Sequence, residues 1–160
     1  MKVPNIPDNE SERLFSLYKL EILDTPPEQR FDYITEKVKI YFNVSIALIS
    51  LVDEKRQWFK SRQGLDAKET SREISFCGHA INQDDLFIVN DTFEDERFID
   101  NPLVTENPFI RFYAGAPLKS TEGFKVGTLC IIDKSPRSFS ENDMALLREF
   151  ADMVEEELNK

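Results

Sequence analysis

A short segment near the middle of the chain carries its most reactive side chains. Phe76, Cys77, Gly78 and His79 follow one another there, and His79 is the only histidine. A thiol and an imidazole beside a bound molecule could contact a ligand, a metal or an oxidant. The alternative is structural, with Cys77 packed as a small apolar side chain and His79 bonded to a backbone carbonyl. The residue types leave both interpretations open.

The composition argues against a metal centre and against a local catalytic pair. A structural zinc site needs four ligands, and two cysteines with one histidine cannot supply the common sulfur-rich sets. On a helix, Cys77 and His79 project about 200° apart because they are two positions apart. We therefore expect no metal site and no catalytic residue in this segment.

A second group of polar residues surrounds a loop and the strand predicted after it. Arg111 stands between apolar neighbours, so its guanidinium must be paired or face a polar pocket, because an unpaired buried charge is costly. It could clamp a carboxylate or phosphate of a ligand. Alternatively, Arg111 or Arg97 forms an internal salt bridge with Asp91 or Asp95 that orders the loop. The aromatic side chains that would wall such a site are Trp58 and Tyr113.

Helical spacing of apolar residues predicts two helices at the start of the chain and one at its end. The first covers 10–20. The second begins with Thr25 as cap, Pro26 in the first turn and Glu28 as the acidic partner of a capping box. The last, over 140–160, begins at a similar Ser-Glu-Asn-Asp cap and could continue toward an output domain. The core-facing stripe of the second helix consists of Phe31, Ile34, Val38 and Tyr41.

Runs rich in β-branched and aromatic residues predict strands between these helices. Trp58 and Phe59 of the second strand should point to opposite faces of the sheet. The strands form two hairpins, 46–52 with 57–61 and 109–118 with 125–132. Residues 71–108 between them are irregular, with a short helix and a brief strand, and such long segments are often functional. Together these elements predict an antiparallel sheet with helices on one face and a ligand site on the other.

The bulk composition limits the cellular context and the partners. The 160 residues fit one domain, 1–160, with 1–10 as a flexible N-terminal segment. A net charge of −10 repels nucleic acid and anionic membrane surfaces. No apolar stretch approaches the roughly twenty residues that span a bilayer. Two distant cysteines fit a reducing compartment, so we expect a cytoplasmic protein without nucleic-acid or membrane partners.

Ordered blocks of residues between Arg13 and Leu158 are similar to bacterial GAF domains, which precede diguanylate cyclases and sensor histidine kinases. The blocks are 23–28, 31–32, 47–53, 56–61, 69–70, 75–81, Asp91, Asp95, 97–98, 101–104, 111–118 and 127–133. The resemblance implies a GAF/PAS-like α/β (α+β) sandwich with a central antiparallel sheet of about six strands. Terminal helices would cover one face, and a ligand pocket would lie under short helices and loops on the other.

The same resemblance implies a sensor in signal transduction. A small molecule would bias the terminal helices and thereby an output of cyclase or kinase type located elsewhere. Relatives bind cyclic nucleotides, tetrapyrroles, amino acids or iron, so the ligand and any cofactor stay unidentified. Relatives also pair through their first and last helices, which predicts a homodimer. The expected ligand-binding residues are Trp58, Phe76, Cys77, His79, Asp91, Asp95, Arg97, Arg111 and Tyr113.

Other functions stay open beside the sensor. One GAF branch resembles this chain in a Cys-Gly pair and reduces free methionine-R-sulfoxide, but it uses further cysteines in the following loop. Here the loop 91–98 has none, and Cys130 falls in a strand that should be buried. A dimerisation module with a vestigial pocket is another alternative, and a bilin chromophore on Cys77 is a third. The expectation is accordingly a binding module that is not an enzyme.

Overall fold

The computed structural model describes residues 1–160, and one antiparallel sheet forms its centre. Its six strands are β1 (Ile46–Val52), β2 (Arg56–Gln63), β3 (Glu69–Ser71), β4 (Phe87–Val89), β5 (Phe112–Lys119) and β6 (Lys125–Asp133). Across the sheet the order is β3-β2-β1-β6-β5-β4, and every neighbouring pair is antiparallel. The predicted sheet of about six strands is confirmed. Strand β6 of the second hairpin joins it to the first, because β6 pairs with β1 as well as with β5.

Three longer helices, α1, α2 and α5, pack on one face, and two short ones, α3 and α4, lie on the other. Their bounds are α1 (Glu10–Lys19), α2 (Gln29–Phe42), α3 (Phe76–Ala80), α4 (Pro102–Thr105) and α5 (Glu141–Leu158). Two single turns of 3-10 helix, Arg72–Ile74 and Thr92–Glu94, complete the elements. None of the helices is both long enough and apolar enough to cross a bilayer.

Two details of the predicted second helix are wrong. Helix α2 begins at Gln29, because the Thr25 hydroxyl donates to the Ile22 carbonyl (2.5 Å) and Glu28 occupies the cap without a side-chain cap bond. Tyr41 is exposed, since the buried stripe continues at Phe42 and leaves Tyr41 at the edge facing α5. Both differences arise from contacts made outside the helix itself.

The last helix begins as predicted. The Ser140 hydroxyl accepts from the Asp143 backbone N–H, and the Asp143 carboxylate accepts from the Ser140 backbone N–H. This reciprocal cap satisfies N–H groups that have no partner within the helix. The residues of α5 that are buried against the sheet are Leu147, Ala151, Val154 and Leu158.

The core has two layers because the sheet is covered on both faces. All seven residues of β1 are buried, with Ala47, Ile49 and Leu51 in the cluster under the long helices. Ile46, Leu48 and Val52 of the same strand belong to the cluster on the other face. Trp58 packs in the helix-side cluster and Phe59 in the opposite one, which confirms their predicted divergence.

Candidate functional site

A cavity of about 340 Å³ lies on the sheet face opposite the long helices. One wall comes from the insert, which we define as residues 72–111, and another from the loop 64–67. Eleven of the 18 lining residues are hydrophobic, so the cavity favours a mainly apolar occupant. The sheet contributes the lining residues Leu48, Gln57, Phe59, Tyr113, Cys130 and Ile132, and the insert contributes Phe76, Cys77, Leu103, Asn107, Pro108 and Ile110.

A few polar side chains interrupt this apolar lining. The Gln57 amide donates to the Thr70 hydroxyl (2.6 Å) at one end of the cavity. Deeper in the wall, the Cys77 thiol is hydrogen-bonded to the Tyr113 hydroxyl (3.2 Å) and to the Thr128 hydroxyl (3.1 Å). Lys134 is the only basic residue that lines the cavity, and it is exposed to solvent. The site can therefore offer a ligand several hydrogen-bonding groups but little positive charge.

Three of the nine predicted site residues line the cavity: Phe76, Cys77 and Tyr113. Helix α3 places the first two, and its start is capped by Ser75, whose hydroxyl accepts from the Gly78 N–H (3.0 Å). Tyr113 comes from β5. The structure places the other six residues away from the cavity.

The charged residues of the insert pair with one another. Arg97 contacts Asp95 (2.6 Å), and Arg111 contacts Asp91 (3.1 Å), so the internal salt bridges considered from the sequence both form. Arg111 precedes β5 and covers the ring of Phe93, 3.6 Å from its centroid. A guanidinium that stacks on an aromatic ring and pairs with a carboxylate is satisfied without a ligand.

The remaining two predicted site residues have other neighbours. Trp58 belongs to the helix-side core, on the face of the sheet away from the cavity. The Nε2–H of His79 donates to the Lys2 carbonyl (3.2 Å), and its ring packs on Phe87 and Phe98. His79 thus connects α3 to the N-terminal segment. Pro4 of that segment is buried against Gly78 of α3. A Cβ added to Gly78 would lie only 2.9 Å from the Pro4 ring.

Most residues of the cavity wall, above all Cys130, were not predicted from the sequence. Alternation along the predicted strands indicates which side chains share a face, and β6 brings Cys130 and Ile132 to the cavity. What no local pattern shows is that Cys130 pairs across the sheet with Leu48 on one side and Gly115 on the other. Cys130 thereby reaches the neighbourhood of Cys77, although the two lie far apart in sequence.

His79 should make the stability of the protein depend on pH. Burial lowers the pKa of His79 below its ordinary value of 6.5, the nearby Arg97 and Lys2 charges lower it further, and the Lys2 carbonyl and Asp95 oppose the change. The folded state therefore disfavours the protonated ring, so stability should fall as the pH drops below 6.5. Carboxylates with lowered pKa values stay ionised in this range and contribute little to the change.

The measurement is the melting temperature of the protein and of His79→Gln between about pH 8 and about pH 5.5. The glutamine keeps a donor for the Lys2 carbonyl but does not titrate. The melting temperature of the unaltered protein should decline more steeply on acidification than that of the variant. Parallel profiles would show that His79 is not responsible.

Comparisons with known proteins agree on one family. A family model described as GAF domain matches residues 26–158. A curated relative, the cyclic di-GMP phosphodiesterase PA2567 of Pseudomonas aeruginosa, is 43% identical over 155 residues, which are 96% of this chain. The chain spans only 26% of that relative's length.

Solved structures show the same fold at low sequence identity. The GAF domain of an Acinetobacter phosphoenolpyruvate-protein phosphotransferase superposes with a TM-score of 0.66 at 19% identity, covering 92% of both chains. The free methionine-R-sulfoxide reductase of Neisseria meningitidis, in complex with its substrate, gives 0.66 at 19% identity over 99% of this chain and 95% of its own. The PixJ GAF domain of Thermosynechococcus elongatus gives 0.66 at 15% identity, covering 91% and 88%.

The relative from Pseudomonas overturns one expectation. The sequence analysis predicted a binding module that is not an enzyme, yet a protein 43% identical over nearly the whole chain is named as one. The reactive side chains within these 160 residues could not reveal this, because they correspond to only about a quarter of that relative. An enzyme can include a segment of this kind as about a quarter of its length, as the share of 26% shows.

Proposed function

The chain belongs to the GAF-domain family, and from this premise we propose that it binds a small molecule in the cavity between sheet and insert and thereby regulates a signalling output. The cavity carries the proposal: about 340 Å³ lies within the size range of small-molecule sites. The cavity also lies on the sheet face that is covered by the insert and not by the long helices. A bound ligand would shift the equilibrium between two positions of the insert. The size of that shift is limited by how much more tightly the ligand binds one position than the other.

The lining favours a compact, largely apolar or aromatic ligand with one hydrogen-bonding group. No arginine lines the cavity, which argues against phosphates as the main recognised group. Gln57 and Thr70 at one end, and Tyr113 in the wall, can bond to a single polar group. The apolar residues around them would supply most of the binding free energy.

Two connections support transmission from the insert to the ends of the chain. Arg72 at the start of the insert forms an ion pair with Glu10 of α1. The N-terminal segment contacts α3, where the Asn82 amide donates to the Asn5 carbonyl (2.9 Å) and His79 donates to Lys2. A ligand that moves α3 would therefore also move the segment that leads into α1.

For the output, we propose hydrolysis of cyclic di-GMP in place of the cyclase or kinase type expected from sequence, because the relative from Pseudomonas is a cyclic di-GMP phosphodiesterase. A cytoplasmic location and a homodimer complete the proposal. Both cysteines are free thiols, which fits a reducing compartment. Apolar side chains are exposed on the outer face of the helical layer and could pair with a second copy: Tyr33, Ile40, Tyr41 and Met153.

Thermal unfolding with named probes tests ligand binding. Indole or phenol should raise the melting temperature, whereas cyclic GMP and biliverdin should not, because of their charge and, for biliverdin, its size. A ligand at about 100 times its dissociation constant stabilises the folded state by about 2.7 kcal/mol. Leu103→Trp narrows the cavity, so the melting temperature of this variant should be the same with and without the probe.

The matched control is Leu146→Trp, the same change at a half-buried leucine of α5 that packs against the helix-side core. It should leave the response to the probe intact. Absence of stabilisation by every small aromatic probe, or an undiminished response in Leu103→Trp, would refute ligand binding in this cavity. The output is tested separately, since hydrolysis of cyclic di-GMP by the full product of the gene should change when the stabilising probe is added.

A further inference from the structure

Two thiols meet in the wall of the cavity. Cys77 comes from α3 and Cys130 from β6, and both line the cavity. They are the only cysteines in the chain, and neither forms a disulfide. The Cys77 thiol lies 3.1 Å from the Thr128 hydroxyl, two residues from Cys130 on the same face of β6.

Tyr113 completes the contact between the two thiols. Its hydroxyl is hydrogen-bonded to Cys77 (3.2 Å). The Tyr113 hydroxyl also lies over Gly115, since a Cβ added to Gly115 would be 2.3 Å from the hydroxyl oxygen. Gly115 in turn pairs with Cys130 across the sheet. The hydroxyl therefore sits beside both sulfur atoms. The side chains that influence the pKa of the Cys130 thiol accordingly include Cys77, Thr128 and Tyr113.

The surroundings make the two thiols chemically unequal. Burial opposes ionisation of Cys77, but hydrogen bonds from Cys130, Ser50, Thr128 and Tyr113 outweigh it and lower the pKa of the Cys77 thiol. Burial, and then the neighbouring Cys77, raise the pKa of Cys130. Cys77 is thus the thiol that ionises first, and the thiolate is the nucleophilic form.

Access to the pair is restricted to molecules that enter the cavity. Cys77 is 2% exposed and Cys130 is fully buried, so neither contacts bulk solvent. A bulky thiol reagent or a partner protein cannot reach them in the folded state. A small, uncharged oxidant such as a hydroperoxide can, because the cavity has room for it.

We propose that Cys77 and Cys130 form a redox-active dithiol site that small hydroperoxides convert into a disulfide. With hydrogen peroxide, the Cys77 thiolate attacks one peroxide oxygen and the O–O bond breaks. The leaving hydroxide takes up the proton that the Cys77 thiol released on ionising, which gives water and a sulfenic acid on Cys77. The Cys130 sulfur then attacks the sulfenic sulfur, the S–O bond breaks, and the leaving hydroxide takes the proton of the Cys130 thiol and departs as water. Two thiols and one peroxide become one disulfide and two waters, with sulfur oxidised and peroxide oxygen reduced.

The disulfide would attach the insert to the centre of the sheet. It would join α3 to β6 at the cavity wall, so the oxidised and reduced forms would differ in the space available to a ligand. The site acts without any ligand in the cavity, and it therefore stands apart from the binding proposed above. Oxidation should also change the melting temperature, since a crosslink between distant residues restricts the unfolded chain.

Intact-mass spectrometry of the folded protein after treatment with hydrogen peroxide tests the proposal. Most molecules should lose the mass of two hydrogen atoms, resist alkylation after unfolding, and regain both thiols with dithiothreitol. Fragmentation should identify two peptides joined by a disulfide, one containing Cys77 and the other Cys130. Cys77→Ser and Cys130→Ser should show no such loss, and Leu103→Trp should be oxidised several-fold more slowly.

Several results would overturn the proposal. One is the recovery of two alkylatable thiols after peroxide treatment of the unaltered protein. Others are a doubled mass from a disulfide between chains, or independent addition of oxygen to each cysteine. The first measurement needs no variant, so it decides the question even if a serine substitution prevents folding.

Discussion

Replacing Glu10 with alanine should lower the free energy of unfolding by about 3–5 kcal/mol, because the change leaves two buried guanidinium groups without their shared carboxylate. Arg13 is 1% exposed and Arg72 is 3% exposed. Arg13 Nε donates to Glu10 (2.6 Å), and Arg72 forms an ion pair with the same carboxylate. Arg72 Nε has no partner, and apart from the Glu10 carboxylate the guanidinium donates only to the backbone carbonyls of Asp53 (3.1 Å) and Glu54 (3.3 Å).

Urea unfolding followed by circular dichroism measures this loss. Glu12→Ala on the same helix is the matched control, because Glu12 is exposed, and it should change stability by less than about 0.5 kcal/mol. Equal stability of the two variants would mean that the arginines find other partners or admit water.

The loss should also depend on pH in a defined direction. Burial raises the pKa of Glu10, but the hydrogen bonds from Arg13 and Arg72 prevail and lower it from its ordinary value of 4.5. A carboxyl with a lowered pKa in the folded state stabilises it above the unfolded value, and this stabilisation disappears as the pH falls through the folded value. The difference between the protein and Glu10→Ala should therefore shrink below about pH 4.5.

Phe98→Ala should lower the free energy of unfolding by about 3–5 kcal/mol, the cost of removing a large aromatic side chain from a packed core. Phe98 is completely buried, and its ring stacks on Phe76 with centroids 4.0 Å apart. It also contacts the rings of His79 (5.0 Å) and Phe87 (6.0 Å). Because Phe76 is part of the cavity wall, the variant should also lose its response to the ligand probes.

The control for this change is Phe93→Ala in the same part of the insert. Phe93 is 52% exposed, and its main contact is the Arg111 guanidinium above its ring. Loss of that contact should cost about 0.5–1 kcal/mol. Chemical unfolding of both variants provides the comparison, and a Phe93→Ala loss as large as that of Phe98→Ala would contradict the role assigned to Phe98.

Local patterns in the sequence were sufficient for the elements and for the class of fold. The limits of β1, the cap of α5 at Ser140, and the opposite directions of Trp58 and Phe59 all follow from interactions between residues close in the chain. Such short-range rules need no knowledge of neighbours in space. The start of α2 was misplaced because Thr25 bonds to a carbonyl before the helix.

Only the tertiary structure decided the composition of the site. The sequence placed Cys77, His79 and Arg111 together as candidates, whereas the fold turns His79 to the N-terminal segment and pairs Arg111 with Asp91. It also brings Cys130 beside Cys77, because β6 lies between β1 and β5 in the sheet. Strand order and the docking of chain segments depend on contacts between residues far apart in sequence. The periodicity of a short segment cannot predict such contacts, because it relates only residues within the same helix or strand.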